Sequence, residues 1–220
     1  MTTMTGMTIA FAGQQLLLHP SGALLWPRRQ MLVASDLHLE KGSHWARRGY
    51  FLPPYDTHAT LARLLRTCEE TQARRLLLLG DCFHDPGGHA RLDLGARAAF
   101  DALQRLEPIW IRGNHDGGFV PPGFEAHDTY EDEGLLFRHE AQPGAAHEIS
   151  GHFHPKARIA HKGGSVERPC FVEDGRKLIL PAFGAYTGGL SVENPAIRQL
   201  FTGAPRYHLL GRERVFSFRA

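Results

Sequence analysis

The chain has 220 residues, 42% of them hydrophobic, which is enough for one well-buried globular domain and too little for two comfortable ones. A formal net charge of +2 sets up no global field that would draw it to nucleic acid or an anionic membrane, so any such binding must be local. Three cysteines, Cys68, Cys82 and Cys170, stand far apart without CxxC spacing, which argues against a disulfide framework or a thiolate zinc knot and fits a reducing cytoplasm. The N-terminal stretch lacks a basic segment followed by a long apolar core, and no apolar run approaches the ~20 residues that span a bilayer, so a soluble, unprocessed chain is expected. The 25 basic residues include only four lysines, Lys41, Lys156, Lys162 and Lys177. Arginine favours planar, bidentate phosphate contacts where it faces a site, although an arginine-rich genome explains the bias more simply. Fourteen histidines are many for this length, and a good share stand beside Asp, Asn or Gly rather than on apolar faces, which points to metal chemistry.

From the N-terminus, short apolar runs at 8–11, 14–19, 23–26 and 31–34 are punctuated by Gly13, Pro20-Ser21-Gly22 and Pro27, and read as strands joined by tight turns. The fourth run, MLVA, is continuously apolar, as a central strand buried on both faces should be, and it delivers Asp36 and His38 at its C-terminal end. Residues 41–56, rich in Gly and Pro, read as a loop bordering the site. Thr57 can cap a helix over 58–71, where Ala59, Leu61, Ala62, Leu64, Leu65 and Cys68 recur at helical spacing. A buried strand at 74–80 ends on Gly80-Asp81, a helix is predicted over 92–106, and a strand at 108–111 ends on Arg112-Gly113-Asn114-His115-Asp116. Strand, helix, strand, helix, strand is the pattern of a parallel core. After Pro121-Pro122, shorter strands are expected at 135–138, 148–150, 170–172 and 177–180, so a mixed sheet should pack on the parallel one with helices outside, a layered α/β sandwich. Residues 184–205, rich in Gly and Pro, give no signal of their own.

Four fragments carry chemistry: DLH at 36–38, GDCFHD at 80–85, GNHD at 113–116 and GHFH at 151–154. Each follows an apolar strand. In an extended segment residues i and i+2 point the same way, so Asp36 with His38, and His152 with His154, can face one ion. Oxygen and nitrogen donors without thiolate suit manganese, iron or zinc. Asp36, His38, Asp81, Asn114, His139, His152 and His154 are more ligands than one ion with open positions needs, whereas two ions ~3.5–4 Å apart, sharing a carboxylate, would use them all. Such a pair would generate hydroxide near neutral pH and clamp both oxygens of an in-line phosphoryl displacement. Gly80, Gly113 and Gly151 before the motifs allow tight turns and close backbone approach. Other histidines, His84 among them, read as hydrogen-bonded structural groups, and Asp85 before Pro86 as a turn residue. Cys82 has no evident base and reads as a packed side chain. Arg47, Arg48 and Arg112 are candidates for substrate phosphate, or they simply solvate a loop. Trp45, Tyr50, Phe51 and Tyr55 interleave with arginines in a way that would suit stacking on single-stranded bases; pinning the loop to the core is the favoured reading.

The motifs D-x-H, G-D, G-N-H-D and G-H-x-H, in that order over roughly 31–155, resemble those of the calcineurin-like metallophosphoesterase superfamily. The resemblance implies an α/β/β/α sandwich of the metallophosphoesterase type, one domain over 1–220, with a dinuclear site at strand C-terminal ends. It implies that Asp36, His38, Asp81 and His154 hold one ion and that Asp81, Asn114, His139 and His152 hold the second, Mn²⁺ foremost with Fe or Zn as alternatives. It makes His115, oriented by Asp116, the group that stabilises or protonates the leaving oxygen. The fragment FRHE lacks the glycine that usually follows the superfamily's counterpart of His139. More narrowly, SDLHLEKGSHWARRGYFLPPYDT resembles the ligase-associated DNA-damage-response endonucleases, encoded beside an ATP-dependent DNA ligase, a helicase and an exonuclease. That implies a cytoplasmic phosphodiesterase acting on DNA in repair. A small-molecule phosphodiesterase or phosphomonoesterase, or a scaffold of this fold for repair partners, are the alternatives.

Overall fold

The computed structural model describes residues 6–50, 52–53, 55–161 and 163–219; Phe51, one of the aromatics interleaved with arginines, lies outside them. A first sheet is built in chain order from β1 (Met7–Phe11), β2 (Gln14–Leu18), β3 (Leu24–Trp26), β4 (Met31–Ala34), β5 (Arg75–Leu79), β6 (Pro108–Ile111) and β7 (Glu125–His127). Pairing is antiparallel from β1 to β4 and parallel from β4 to β7. Register sets Ala34 beside Leu78 and Leu79 beside Ile111, so the three parallel strands that precede the Asp36, Asp81 and Asn114 fragments end at one edge.

The second sheet takes β8 (Thr129–Asp132), β9 (Leu135–Arg138), β10 (Glu148–Ser150), β11 (Lys156–His161), β12 (Gly164–Glu173), β13 (Lys177–Ile179), β14 (Arg206–Leu210) and β15 (Val215–Arg219). Its order is β15-β14-β12-β13-β10-β9-β8, with β11 paired to β12. Here β10 runs parallel to both β9 and β13, so His139 and Gly151, which follow β9 and β10, emerge on one side.

Alternation along the strands explains why they read as unbroken apolar runs. Met31 and Val33 of β4 and Leu77 and Leu79 of β5 face the second sheet, where they meet Phe137, Ile149, Phe171 and Leu178. Leu32, Ala34, Leu76 and Leu78 face the other way, onto helices. Those helices are α1 (Lys41–Ala46), α2 (Asp56–Thr71), α3 (Gly88–Arg91) and α4 (Leu94–Asp101), with Leu61, Leu64, Ala96 and Phe100 buried against the sheet. Beyond the second sheet, Ile197 of the one-turn α5 (Pro195–Arg198) joins Leu200 and Phe201 over Cys170, Val172, Ile179 and Leu209. The architecture is a four-layer α/β/β/α sandwich, thin on its second helical face. No helix among the described residues is long and apolar enough to cross a membrane.

Three local expectations change. Thr57, expected to cap a helix over 58–71, lies inside α2, whose N-cap residue is Tyr55. The helix predicted over 92–106 is α4 followed by a 3-10 segment, Ala102–Leu106, that stops at Glu107 in the left-handed region. The stretch 41–56, expected as loop, contains α1. Tertiary contact sustains that helix: the Gly42 N–H donates to the Asp56 carboxylate at 2.9 Å and the Glu40 N–H to Thr57 Oγ1 at 2.8 Å. A Cβ on Gly42 would lie 2.8 Å from Asp56 Oδ1, so the glycine that weakens the helix signal is what lets α1 approach α2.

Candidate metal centre

The loops that leave β4, β5, β6, β9 and β10 converge. Backbone bonds cross-link them: Asp36 N–H to Gly80 O at 3.2 Å, His38 N–H to Asp81 O at 2.9 Å, and Gly151 N–H to His139 O at 2.9 Å. Carboxylates add to the lattice, with Asp36 Oδ2 accepting from the His152 N–H at 2.9 Å and Asp81 Oδ1 from the His115 N–H at 2.8 Å. One oxygen of each carboxylate is thereby used as an anchor and the other is left facing inward.

All seven expected donors are brought together. His38 Nε2 and His154 Nε2 are 3.2 Å apart, and His154 Nε2 lies 3.2 Å from Asp36 Oδ1. On the other side, Asn114 Oδ1 lies 3.0 Å from His139 Nε2 and 3.1 Å from His152 Nδ1. Asp81 Oδ2 stands between the groups, 3.3 Å from His139 Nε2 and 3.9 Å from His38 Nε2. His139 is fixed from behind, its Nδ1–H donating to Leu79 O at 3.1 Å, which leaves Nε2 to face the centre.

The i, i+2 pairs do share a side, but not through an extended backbone. Asp36, His38, Asp81, His152 and His154 have φ of 55°, 45°, 50°, 69° and 47°, in the left-handed region that non-glycine residues rarely occupy. Such conformations cost of order 1 kcal/mol or more each and persist where the surroundings over-determine them, which the loop cross-links do here. Gly80, at φ 81°, is required for a second reason: a Cβ there would fall 2.2 Å from His139 Nδ1.

A cation fits these residues. Asp36 is fully buried and its Oδ1 has no hydrogen-bond partner, an orphaned acceptor that a metal would satisfy. Burial opposes the charge on Asp36 and Asp81, yet His154 beside the first and His139 beside the second outweigh it, holding Asp36 below the usual carboxylate range and Asp81 at about 2. Burial pushes His38 down to about 3, so its lone pair is available to a metal. His139, against its own burial, is held up at about 9 by Asp81, and a bound cation would displace that proton.

Around this core the remaining expectations divide. His115 Nδ1–H donates to His84 O at 2.8 Å, which directs Nε2 toward Asp81 Oδ2, 4.0 Å away. The His115 ring is therefore oriented by His84, not by Asp116. The Asp116 carboxylate faces the opposite way and accepts from the N–H groups of Asp81, Cys82, Phe83 and Gly113 at 2.9–3.3 Å, tying two ligand loops together. Its burial pushes the carboxyl up to about 6, against the bonds from Gly113 and Phe83. Cys82 is a buried thiol whose pKa burial raises well above its ordinary value. Arg47 and Arg48 line a depression with His44 and Asp85 beside the centre, whereas Arg112 is engaged by Asp128 at 3.0 Å. Asp85 is more than a turn residue: besides capping the Gly87 N–H, it binds Arg91 and His44. Tyr50 and Tyr55 do not pin their loop to the core; they are 64% and 69% exposed.

The cleft over the centre is lined by His38, His115, His152 and His154, by Lys41 at the start of the stretch expected to border the site, and also by His84 and the segment 188–190, which were not expected there. His84 packs on His115, ring centroids 5.3 Å apart, and with His38 and His115 forms a third group of nitrogens within 4.8 Å of one another. Its place three residues after Asp81 in the GDCFHD fragment was the available signal.

Two packed mixed sheets with Asp, His and Asn donors at the strand ends define a metal-dependent phosphoesterase. A profile of the calcineurin-like phosphoesterases matches residues 30–183, and the chain belongs to that family. The crystal structure of Pseudomonas putida nuclease MPE is similar over 97% of this chain and 100% of that one, with 31% identity and a TM-score of 0.77. Yfce, a phosphoesterase from E. coli, is 16% identical over 86% of this chain and 97% of its own, with a TM-score of 0.43. A conserved uncharacterized protein from Streptococcus pneumoniae TIGR4 is 15% identical over the same shares, with a TM-score of 0.33. No curated protein sequence matches the chain.

Proposed function

We propose that this chain is a two-metal phosphodiesterase that cuts DNA. The observation that carries the reading is the position of Asp81 Oδ2 between two groups of inward-facing donors. Asp36, His38, Asp81 and His154 would hold one divalent ion, and Asp81, Asn114, His139 and His152 the other. The all N/O donor set favours Mn²⁺, with Fe or Zn as alternatives. Bound there, the ions would supply the Lewis acidity that makes water nucleophilic near neutral pH and offsets charge building on the phosphoryl group. The protein's own residues do the rest. Asp81 and Asp36 present one oxygen each from anchored carboxylates, so their geometry needs no rearrangement as the reaction proceeds. His115, held through Nδ1, presents Nε2 to the cleft, where the imidazolium would give its proton to the leaving oxygen. Asp116 acts as a positioning residue by keeping the two loops in register, and Arg47 and Arg48 would grip a substrate phosphate beside the cleft.

Similarity at 31% identity to a nuclease supports nucleic acid as the substrate. The subfamily resemblance supports DNA, a repair role in the cytoplasm, and the neighbouring ligase, helicase and exonuclease as candidate partners. Residues 1–220 are read as one metallophosphoesterase domain, because β14 and β15 extend the same sheet that presents His139 and Gly151.

The test is manganese-dependent hydrolysis of bis-p-nitrophenyl phosphate and of single-stranded DNA, with metal content measured in each protein. Asp81→Ala is expected to lose both metal and activity. His115→Ala is expected to keep its metal and lose about 10²–10⁴ in kcat, the usual share of general acid catalysis. A metal-loaded wild type that hydrolyses neither substrate would overturn the enzymatic reading in favour of a scaffold; hydrolysis of the ester alone would redirect it to a small phosphodiester.

A further inference from the structure

A groove of about 870 Å³ shares a wall with the cleft over the candidate centre. The wall is the segment 184–190: Gly184, Ala185 and Thr187 face the groove, while Gly188, Gly189 and Leu190 face the cleft. Charge in the groove is unbalanced. Arg63, Arg66, Lys156, Arg212 and Arg214 line it against three glutamates, of which Glu70 lies beside Arg66 and His19, and Glu167 beside Arg158. Among the described residues, Arg63, Lys156, Arg212 and Arg214 make no ion pair with a carboxylate. Arg63 forms part of the lining with its Nε buried and without a hydrogen-bond partner, and its guanidinium donates to Phe183 O. The Phe183 N–H in turn donates to Ser35 O at 2.8 Å, one residue before Asp36, so the groove is built onto the loop that carries the first donor group.

Cations gathered from α2, the start of β11 and the β14–β15 turn repel one another unless an anion joins them, and guanidinium forks match phosphate oxygens. Among the described residues no aromatic side chain but that of His19 lines the groove, so it offers phosphate contacts rather than a platform for bases. Between groove and cleft the segment 185–191, AYTGGLS, carries no charge, and Gly188 and Gly189 are exposed, so a strand can cross it without meeting a carboxylate.

We propose that this groove holds the phosphates of single-stranded DNA on one side of the scissile bond, the strand crossing the 185–191 segment to reach the centre. This rests on the nuclease reading and adds to it where the substrate lies. The test uses the full, manganese-loaded chain with two probes, fluorescein-labelled oligothymidylate and bis-p-nitrophenyl phosphate. The variants are Arg66→Glu and the double substitution Arg212→Glu, Arg214→Glu, all at exposed positions outside the centre. Hydrolysis of the small ester should stay within about twofold of wild type, whereas kcat/KM on the oligonucleotide should fall at least about tenfold, mainly through KM. The salt dependence of oligonucleotide binding should flatten by roughly 0.7 in log–log slope for each phosphate that is no longer neutralised, and Arg212→Lys with Arg214→Lys should restore most of it. Unchanged cleavage and an unchanged salt slope in the glutamate variants would overturn the groove. A wild type that hydrolyses the ester but neither binds nor cuts DNA would overturn the nuclease reading itself, and the groove with it.

Discussion

Gly151 marks how little room the centre leaves. A Cβ there would stand 1.8 Å from Ser35 Oγ and 2.5 Å from Asp36 Oδ2, so Gly151→Ala must push apart the loops that follow β4 and β10. Secondary structure should survive this change while manganese affinity falls at least about tenfold, the scale on which metal sites respond to disturbed support. Titration calorimetry beside circular dichroism checks it, and wild-type affinity in a folded variant would contradict it. The residues gathered at the candidate centre were legible because each fragment is local: a carboxylate, amide or imidazole stands at a fixed offset from the end of an apolar strand. His84 was not. Its role depends on the turn after β5 carrying its carbonyl to His115 and its ring onto the same face. The assignment of Asp116 failed for the complementary reason, since neighbours in a tight turn point to opposite sides and adjacency in sequence gives no contact.

At the scale of elements, β9, β10 and β13 are clipped together by a buried pair, Glu148 and Lys177. Glu148 accepts from the Gln142 N–H at 3.1 Å and faces Arg138 Nε at 3.3 Å, and Lys177 Nζ donates to Gln142 O. The pair therefore holds both ends of the 138–142 segment that carries His139. Lys177→Met leaves Glu148 buried without its closest cation and should cost about 3 kcal/mol in urea unfolding, with weaker metal binding at the candidate centre. A destabilisation below about 1 kcal/mol would mean that Arg138 compensates. Strands buried on both faces, such as β4 and β6, were read at their true limits because their apolar runs are unbroken. The edge strands β7 and β8, EAH and TYED, have too little apolar content to signal themselves, and long-range pairing alone defines them. The same holds for α1, whose glycine lowers helical propensity while permitting the packing that sustains it.

Over the whole molecule, β14 and β15 complete the second sheet from beyond the 184–205 stretch, where the sequence reading placed no strand. Glu173 at the end of β12 joins them to it, 3.5 Å from Arg206 and 3.5 Å from His208, with the Gly175 N–H at 2.7 Å. Burial opposes its charge, but the bonds to His208 and Gly175 win and hold its carboxyl below the ordinary 4.5. A lowered folded-state value means that the stabilisation is complete above pH 4.5 and drains away as pH falls through the folded value. Glu173→Gln should melt about 2–4 °C below wild type at neutral pH, the shift expected of ~1 kcal/mol in a domain of this size, and the gap should close in acid. A gap that stayed constant with pH would assign the effect to packing instead.

Whether Asp81 serves two ions is measured most directly by manganese stoichiometry with electron paramagnetic resonance on wild type and Asp81→Ala. Two ions per chain with an exchange-coupled spectrum, abolished in the variant, is the result predicted; a single uncoupled ion in wild type, or a coupled pair that survives the removal of Asp81, would contradict it.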